Sequence, residues 1–172
     1  MSRDVSGPVT IDSRLEQIFL SEIQRQARFA VFTIQQFNAA HAAEDLDGMF
    51  RLLDEFLGCC ARISLMLWPQ NPGGQERKRH LRERLKILED DILKDRRLRN
   101  HLEHFDERLD TWAASSQNRN FVDLNVGPRK LIDAASVKPT DTLRHFVPSD
   151  TTYIFRSEEF DIQKIAASVD LL

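Results

Sequence analysis

The sequence predicts a mainly α-helical fold: a four-helix, up-and-down-like bundle followed by a short C-terminal β hairpin. Apolar residues recur every three or four positions through the first two thirds of the 172 residues, and a β-branched, aromatic run stands near the end. Hydrophobic residues make up 41% of the chain and charged residues 30%. This mixture is typical of a globular protein and too apolar for a disordered one.

The first two predicted helices are long and amphipathic. Helical spacing of apolar residues predicts one helix over 11–41, with Asp12 or Ser13 as its N-cap. The same spacing predicts a second helix over 46–68, which ends before Pro69 and a glycine-containing segment.

Two further helices complete the predicted bundle. The third, over 75–93, is more polar, and the fourth, over 95–114, has a regular apolar stripe. Four such helices with short connections must bury their apolar faces against one another, and a bundle achieves this. The stripe of the fourth helix consists of Leu98, Leu102, Phe105, Leu109 and Trp112.

The last third of the chain has a different pattern. The run 151–155 and the residues around Phe160 predict a small hairpin, and a short amphipathic helix is expected from Asp161 onward. A lone hairpin is marginal in water. We therefore expect 1–115 to form the helical core that carries the motif described below. We expect 116–172, an irregular segment with the hairpin and short helix, to pack on the same domain.

Charge and aromatic content limit the possible functions. The 24 basic and 27 acidic residues give a net charge of −3. This argues against a protein that coats nucleic acid through bulk positive potential, but it allows a local basic site. The aromatic residues are 11 Phe, 2 Trp and 1 Tyr, a proportion typical of core filling rather than of a stacking surface for bases.

We predict a cytoplasmic protein without a membrane partner. No apolar run at the start resembles a signal peptide, and the most apolar stretch, 56–68, contains Arg62 and is too short to cross a bilayer. The two cysteines, Cys59 and Cys60, are neighbours within an apolar helical pattern. We therefore expect them to be reduced, buried thiols.

The fourth predicted helix carries the residues best suited to chemistry. With its apolar stripe facing the core and 100° per residue, Asn100 and His104 share one outward face. His101 and Arg108 lie on the flank beside them, and Arg99 lies on the opposite flank. A histidine and an asparagine presented together near several arginines form a plausible phosphate-handling surface.

The segment Arg99-Asn100-x-x-x-His104 resembles the signature of HEPN (higher eukaryotes and prokaryotes nucleotide-binding) domains. The resemblance covers about residues 11–115 and implies a helical bundle with a metal-independent endoribonuclease site. In that family two protomers pack so that both copies of the motif line one cleft. The resemblance therefore implies a homodimer that acts on RNA and needs neither a metal ion nor another cofactor.

The resemblance also implies roles for individual residues. His104 acts as general base in one protomer and general acid in the other, Arg99 holds the phosphate, and Asn100 positions the substrate or the imidazole. Three arginine–histidine pairs fit the spacing of the motif: Arg96 with His101, Arg97 with His104, and Arg99 with His104. Only Arg99 is followed by Asn. The residues expected to contact RNA around the catalytic three are Arg96, Arg97, His101 and Arg108.

HEPN ribonucleases act in toxin–antitoxin, phage-defence and stress systems, so the resemblance implies an antitoxin or a nucleotidyltransferase as possible partners. Some toxins of the family carry a tyrosine, two residues beyond the histidine, that receives nucleotides from such a transferase. That position is Asp106 here, and the single tyrosine is Tyr153. Inactivation of this protein by nucleotide attachment at that position is therefore not expected.

Other interpretations of the same residues exist. Arg99 and Glu103 are spaced for an ordinary surface ion pair, which fits a non-catalytic helical interaction module that binds a partner protein or a nucleotide. His101 and His104, with Glu103 and Glu107, resemble half of a metal site, but a second such motif is missing from the sequence. The segment 75–99 has ten basic and six acidic residues, which predicts either a solvated face or a patch that attracts a phosphate backbone.

Overall fold

The computed structural model describes residues 11–70, 74–117, 119–131 and 138–172. It confirms the predicted mainly α fold with strands in the C-terminal part. The helices are α1 (Ser13–Ala42), α2 (Leu46–Leu67), α3 (Gln75–Leu85), α4 (Arg97–Glu103), α5 (Phe105–Ser115) and α6 (Ile162–Asp170). The strands are β1 (Asn125–Val126), β2 (Arg144–Val147), β3 (Thr152–Phe155) and β4 (Glu158–Asp161). Short 3-10 helices occupy Ile92–Lys94, Arg129–Leu131 and Pro139–Asp141.

The α1–α2 pair forms the centre of the helical part, and each helix has an aspartate N-cap, Asp12 as predicted for α1 and Asp45 for α2. The carboxylate of Asp12 accepts a hydrogen bond from the Leu15 N–H at 2.7 Å, and that of Asp45 accepts one from the Gly48 N–H at 3.0 Å. The two helices pack along their length, and the residues on their facing sides form part of the hydrophobic core. Fully buried members include Ile23, Ala30, Leu53 and Ile63.

The third helix is shorter than predicted, because it ends at Leu85 rather than at residue 93. Lys86 adopts the left-handed conformation, with φ 57° and ψ 35°. The Ile87 N–H then bonds to the Arg82 carbonyl at 2.9 Å, and the Lys86 N–H bonds to the Glu83 carbonyl at 3.2 Å. This hydrogen-bond pattern is the Schellman motif, which terminates helices.

The predicted fourth helix is two helices, α4 and α5, with a break at His104. His104 has φ −108° and ψ 40°, outside the helical range. The break coincides with the docking of Phe105 on the sheet. Its ring meets the edge of Phe155 at 6.2 Å, and the Arg144 guanidinium lies 4.6 Å from the centre of the Phe105 ring.

The strands form one sheet in the order β1-β2-β3-β4, larger than the predicted hairpin. Strands β3 and β4 are that hairpin, and Arg156 and Ser157 turn between them with φ values of 46° and 77°. Two consecutive positive φ angles suit the right-handed twist of a tight hairpin. Strand β2 pairs antiparallel with β3 and parallel with β1, which extends the sheet.

The sheet and the helices share one hydrophobic cluster. Phe37 of α1 meets Phe146 of β2 edge-to-face at 5.1 Å, and Phe50 of α2 meets Tyr153 of β3 at 6.2 Å. Edge-to-face contacts of this kind stabilise packing beyond the area they bury. The C-terminal strands are therefore part of the core on which α4 and α5 rest.

Cys59 and Cys60 are both unpaired and buried in α2, as predicted. Burial raises the pKa of both thiols, which makes them poor nucleophiles. A separate property concerns membranes: among the described helices, none combines the length and the apolar character needed to span a bilayer.

Candidate functional site

Asn100 and His104 lie at the surface where α4 meets α5. Asn100 is exposed, and the side chain of His104 is 53% exposed. The His104 N–H bonds to the Asn100 carbonyl at 3.1 Å, so the two residues stay one helical turn apart although the helix breaks at His104. Both side chains are therefore open to a ligand or to a second protein surface.

Arg99 is adjacent to this pair but already has a partner. Its Nη2 atom lies 2.5 Å from the Glu103 carboxylate, and its side chain is 25% exposed. The Nε atom is buried and has no hydrogen-bond partner within the described residues. Glu103 therefore occupies one edge of the guanidinium, and a phosphate reaching Arg99 has to share or displace that carboxylate.

His104 contacts an acidic residue of α5. Its Nδ1 atom is 3.4 Å from a Glu107 carboxylate oxygen. A carboxylate beside Nδ1 favours the tautomer in which Nδ1 carries the proton, and this leaves Nε2 as the basic atom. The His104 ring is therefore exposed and has a carboxylate next to Nδ1.

His101 packs inside the molecule and links three elements. Its ring stacks on Phe155 at 4.8 Å with an interplanar angle of 14°. The Arg108 Nε donates to His101 Nδ1 at 3.1 Å, and His101 Nε2 lies 3.0 Å from a Glu158 oxygen. Since Nδ1 accepts, Nε2 carries the proton and donates to Glu158. These contacts hold α4 and α5 against the β3–β4 hairpin.

The other two residues predicted to contact RNA differ in their surroundings. Arg97 forms ion pairs with Asp95 at 2.7 Å and with Glu158 at 3.3 Å. Hydrogen bonding to Asp95 raises the pKa of Arg97, and the same bond lowers the pKa of Asp95. Arg96 is half-buried, and its buried Nη1 atom has no hydrogen-bond partner within the ranges that the structure describes.

A partly buried polar cluster next to Phe105 of α5 was missed by sequence reasoning. Arg144 of β2 binds Asp123 through two hydrogen bonds, of 2.9 and 2.6 Å, and approaches Asp54 of α2 at 4.0 Å. Burial raises the pKa of Asp54, an effect that the charge of Arg144 opposes. These residues are far apart in sequence and belong to no shared motif. Their contacts fix β2 against α2 and support Phe105.

The structure separates the two histidines of the alternative metal site. His101 points toward β4 and packs on Phe155, whereas His104 is exposed. Among the described residues, no three His, Cys, Asp or Glu side chains converge in a group that could hold a metal ion. The exposed surface at the α4–α5 break combines imidazole, amide and guanidinium groups with the carboxylates of Glu103 and Glu107.

Comparison of the chain with models of protein families, with curated proteins and with solved structures gave no match. The resemblance to HEPN domains therefore rests on the Arg99-Asn100-x-x-x-His104 segment and on its place in a small, mainly α-helical protein.

Proposed function

We propose that this protein is a metal-independent endoribonuclease of the HEPN type, with an active site formed where two copies of the chain meet. The observation that supports this proposal is the exposure of Asn100 and His104, one turn apart, with Arg99 next to them. An imidazole at a protein surface can accept or donate a proton near neutral pH. A homodimer would supply two such imidazoles from one residue.

The proposed reaction is an internal transesterification of RNA. The Nε2 atom of one His104 takes the proton from a ribose 2′-hydroxyl, and the 2′-oxygen forms a bond to the neighbouring phosphorus. The bond from phosphorus to the 5′-oxygen breaks, and the second His104 gives a proton to that leaving oxygen. The products are a 2′,3′-cyclic phosphate and a 5′-hydroxyl end, so that no oxidant or water is consumed.

Arg99 and Asn100 have supporting roles in this proposal. A planar guanidinium suits the phosphate oxygens on which negative charge grows. Because Glu103 uses only one edge of Arg99, other N–H groups remain for a phosphate. Asn100 would hydrogen-bond the substrate or the facing imidazole across the dimer. Arg96 would add positive charge beside this centre.

The test is cleavage of RNA by the pure protein in EDTA. We expect cyclic-phosphate products from the wild type and a loss of at least about a hundredfold in His104→Ala. The matched control is His80→Ala, which removes a histidine of α3 whose side chain is 41% exposed. Cleavage that is equal in His104→Ala and the wild type, or that is lost in EDTA, would overturn the proposal.

The cellular role forms a further part of the proposal. A ribonuclease of this kind would act in the cytoplasm, as a toxin or in phage defence or stress, and an antitoxin or nucleotidyltransferase is the partner to look for. Asp106 stands where some toxins of the family carry a modified tyrosine. An antitoxin that covers His104 would therefore fit this chain better than modification at that position.

A non-catalytic helical interaction module is the second candidate function. The contacts within the chain favour it, because Arg99, Arg97 and His101 already have carboxylate partners. An interaction module would use the exposed α4–α5 surface to bind a partner protein or a nucleotide without chemistry. A monomer at high concentration by light scattering, with no cleavage in EDTA, would support the module over the ribonuclease.

A further inference from the structure

A pocket of about 260 Å³ lies where α2, α4, β4 and α6 meet. One part of its wall is apolar, and the other part carries charged and hydroxyl groups. For comparison, an apolar cavity of about 150 Å³ is large enough for benzene. The pocket therefore has room for a small organic molecule. The lining residues that matter here are Leu57, Ala61, Ser64, Arg96, Phe160 and Ile165.

The three carboxylates that line the pocket each have a cationic partner. An ion pair of this kind cancels most of the charge that a ligand would meet. The carboxylates therefore do not make the pocket a site for a cation. The pairs are Asp95 with Arg97 at 2.7 Å, Asp161 with Lys164 at 2.9 Å, and Glu159 with Arg129.

Arg96 is the exception among the lining cations. Arg97, Arg99 and Lys164 all have carboxylate partners. Within the described residues Arg96 forms no ion pair, and its buried Nη1 atom lacks a hydrogen-bond partner. The pocket therefore holds about one positive charge that the chain itself does not balance.

Ser64 is an independent indication of a ligand. The residue is 1% exposed and belongs to the pocket wall, and its buried Oγ atom has no hydrogen-bond partner in the described part of the chain. Leaving a buried hydroxyl unsatisfied is costly, and so is leaving a buried guanidinium N–H unsatisfied. A ligand that accepts hydrogen bonds from both groups would remove both costs.

We propose that this pocket binds a small organic monoanion with an apolar body. Its carboxylate would accept hydrogen bonds from Arg96 and Ser64, and its body would lie against Leu57, Phe160 and Ile165. A single unbalanced arginine matches one negative charge, and a planar carboxylate matches the geometry of a guanidinium. This site does not depend on RNA cleavage and holds even if His104 has no catalytic role.

The test uses benzoate and its neutral isostere benzamide as probes of the full chain. In ¹H–¹⁵N NMR titrations with benzoate we expect the amide signals of Ala61, Arg96 and Ile165 to shift and the shifts to saturate. We expect benzamide to bind more weakly than benzoate, by about tenfold or more. This comparison needs no variant. Equal affinity for the two probes, or benzoate shifts that map away from these residues, would overturn the proposal.

Two variants make the assignment to individual residues. Arg96→Gln is expected to weaken benzoate binding by about tenfold or more, whereas Arg28→Gln, which removes an exposed arginine of α1, keeps the wild-type affinity. Ser64→Ala is expected to weaken benzoate binding and to raise the melting temperature of the unliganded protein, because it removes an unsatisfied buried hydroxyl. Wild-type affinity in a folded Arg96→Gln, or a lowered melting temperature together with unchanged binding in Ser64→Ala, would contradict the proposal.

Discussion

Arg99 is the residue at which the two candidate functions differ most. Its ion pair with Glu103 joins residues four apart on one helix, and helix pairs of this spacing contribute little to stability. The same pair does matter for ligand binding, because a carboxylate on the guanidinium repels an incoming phosphate. If this surface binds RNA as proposed, Glu103 therefore limits its affinity whether or not cleavage follows.

Replacing Glu103 should increase RNA binding. In Glu103→Gln the negative charge beside Arg99 is gone, and we expect the affinity for a short RNA to rise by about twofold to fivefold at moderate salt. If the protein cleaves RNA, kcat/KM should rise with it. Fluorescence anisotropy measures the affinity. The matched control is Glu83→Gln, which opens the equivalent Arg79–Glu83 pair of α3, and an equal gain in both variants would rule out a specific role for Arg99.

His145 makes stability depend on pH. It is 0% exposed on β2. Burial lowers the pKa of His145, and the charge of Arg129 lowers it further, while the backbone of Gly127 acts in the opposite direction. The folded protein therefore disfavours the charged form of this imidazole.

Acid should destabilise the protein through this residue. Below the ordinary histidine pKa of about 6.5 the unfolded chain binds a proton that the folded chain does not. The free energy of unfolding should thus fall as pH drops from 6.5 toward the lowered pKa, by at most about 1.4 kcal/mol per pH unit. Urea titrations at several pH values should show a smaller fall in His145→Leu. Phe146→Leu, a substitution of a buried residue that does not titrate, should keep the wild-type dependence of the free energy of unfolding on pH. If that free energy falls with pH as steeply in His145→Leu as in the wild type, the assignment to His145 is contradicted.

At the scale of elements, one substitution at the end of α3 should make the protein more stable. Lys86 has a φ of 57°, a conformation that glycine adopts at no steric cost. Lys86→Gly should therefore raise the free energy of unfolding by about 0.5–1 kcal/mol. In the helical control Lys78→Gly, the same change should lower it by about 1 kcal/mol. Urea denaturation measures both, and a loss of stability in Lys86→Gly would mean that the lysine side chain contributes more than its backbone strain costs.

The parts of the fold that local rules determine are those that could be predicted. Asp12 and Asp45 precede long apolar periodicities; Asp12 caps α1 as expected, and Asp45 caps α2 at the place where that helix was predicted to begin. The prediction of one continuous helix across His104 was wrong, because the apolar spacing continues unchanged from Leu98 to Trp112. Neither glycine nor proline marks the break. The break coincides with the docking of Phe105 on β3, a contact with a residue 50 positions away in the chain.

The same limit applies to the candidate site. Helical geometry was sufficient to predict that Asn100 and His104 point outward, since exposure depends on the stripe of their own helix. It could not show that His101 faces Glu158 on β4 or that Ser64 and Arg96 share a pocket with α6. Those contacts depend on where the C-terminal strands pack, and periodicity carries no information about the partner of a polar side chain.

At the scale of the whole molecule, the C-terminal part supports the helical part that carries the motif. Glu158 of β4 binds both Arg97 and His101, and Phe155 of β3 packs on His101 and Phe105. The surface at the α4–α5 break therefore depends on residues that have no counterpart in the resemblance to HEPN domains. Its geometry can differ from that family even if the chemistry is shared.

A composite site makes activity depend on subunit pairing, and this can be measured by mixing. If each active site needs a His104 from both protomers, a dimer of one wild-type and one His104→Ala chain is inactive. After subunit exchange in an equal mixture, random pairing leaves about a quarter of the dimers active, so the total activity should fall to about half of that of the wild-type chains alone. Mixing with His80→Ala should leave the activity of the wild-type chains unchanged and add that of the variant. Wild-type chains that keep their full activity in the His104→Ala mixture, although exchange is shown by labelled subunits, would mean that each chain carries a complete site or that the cleavage comes from elsewhere on the molecule.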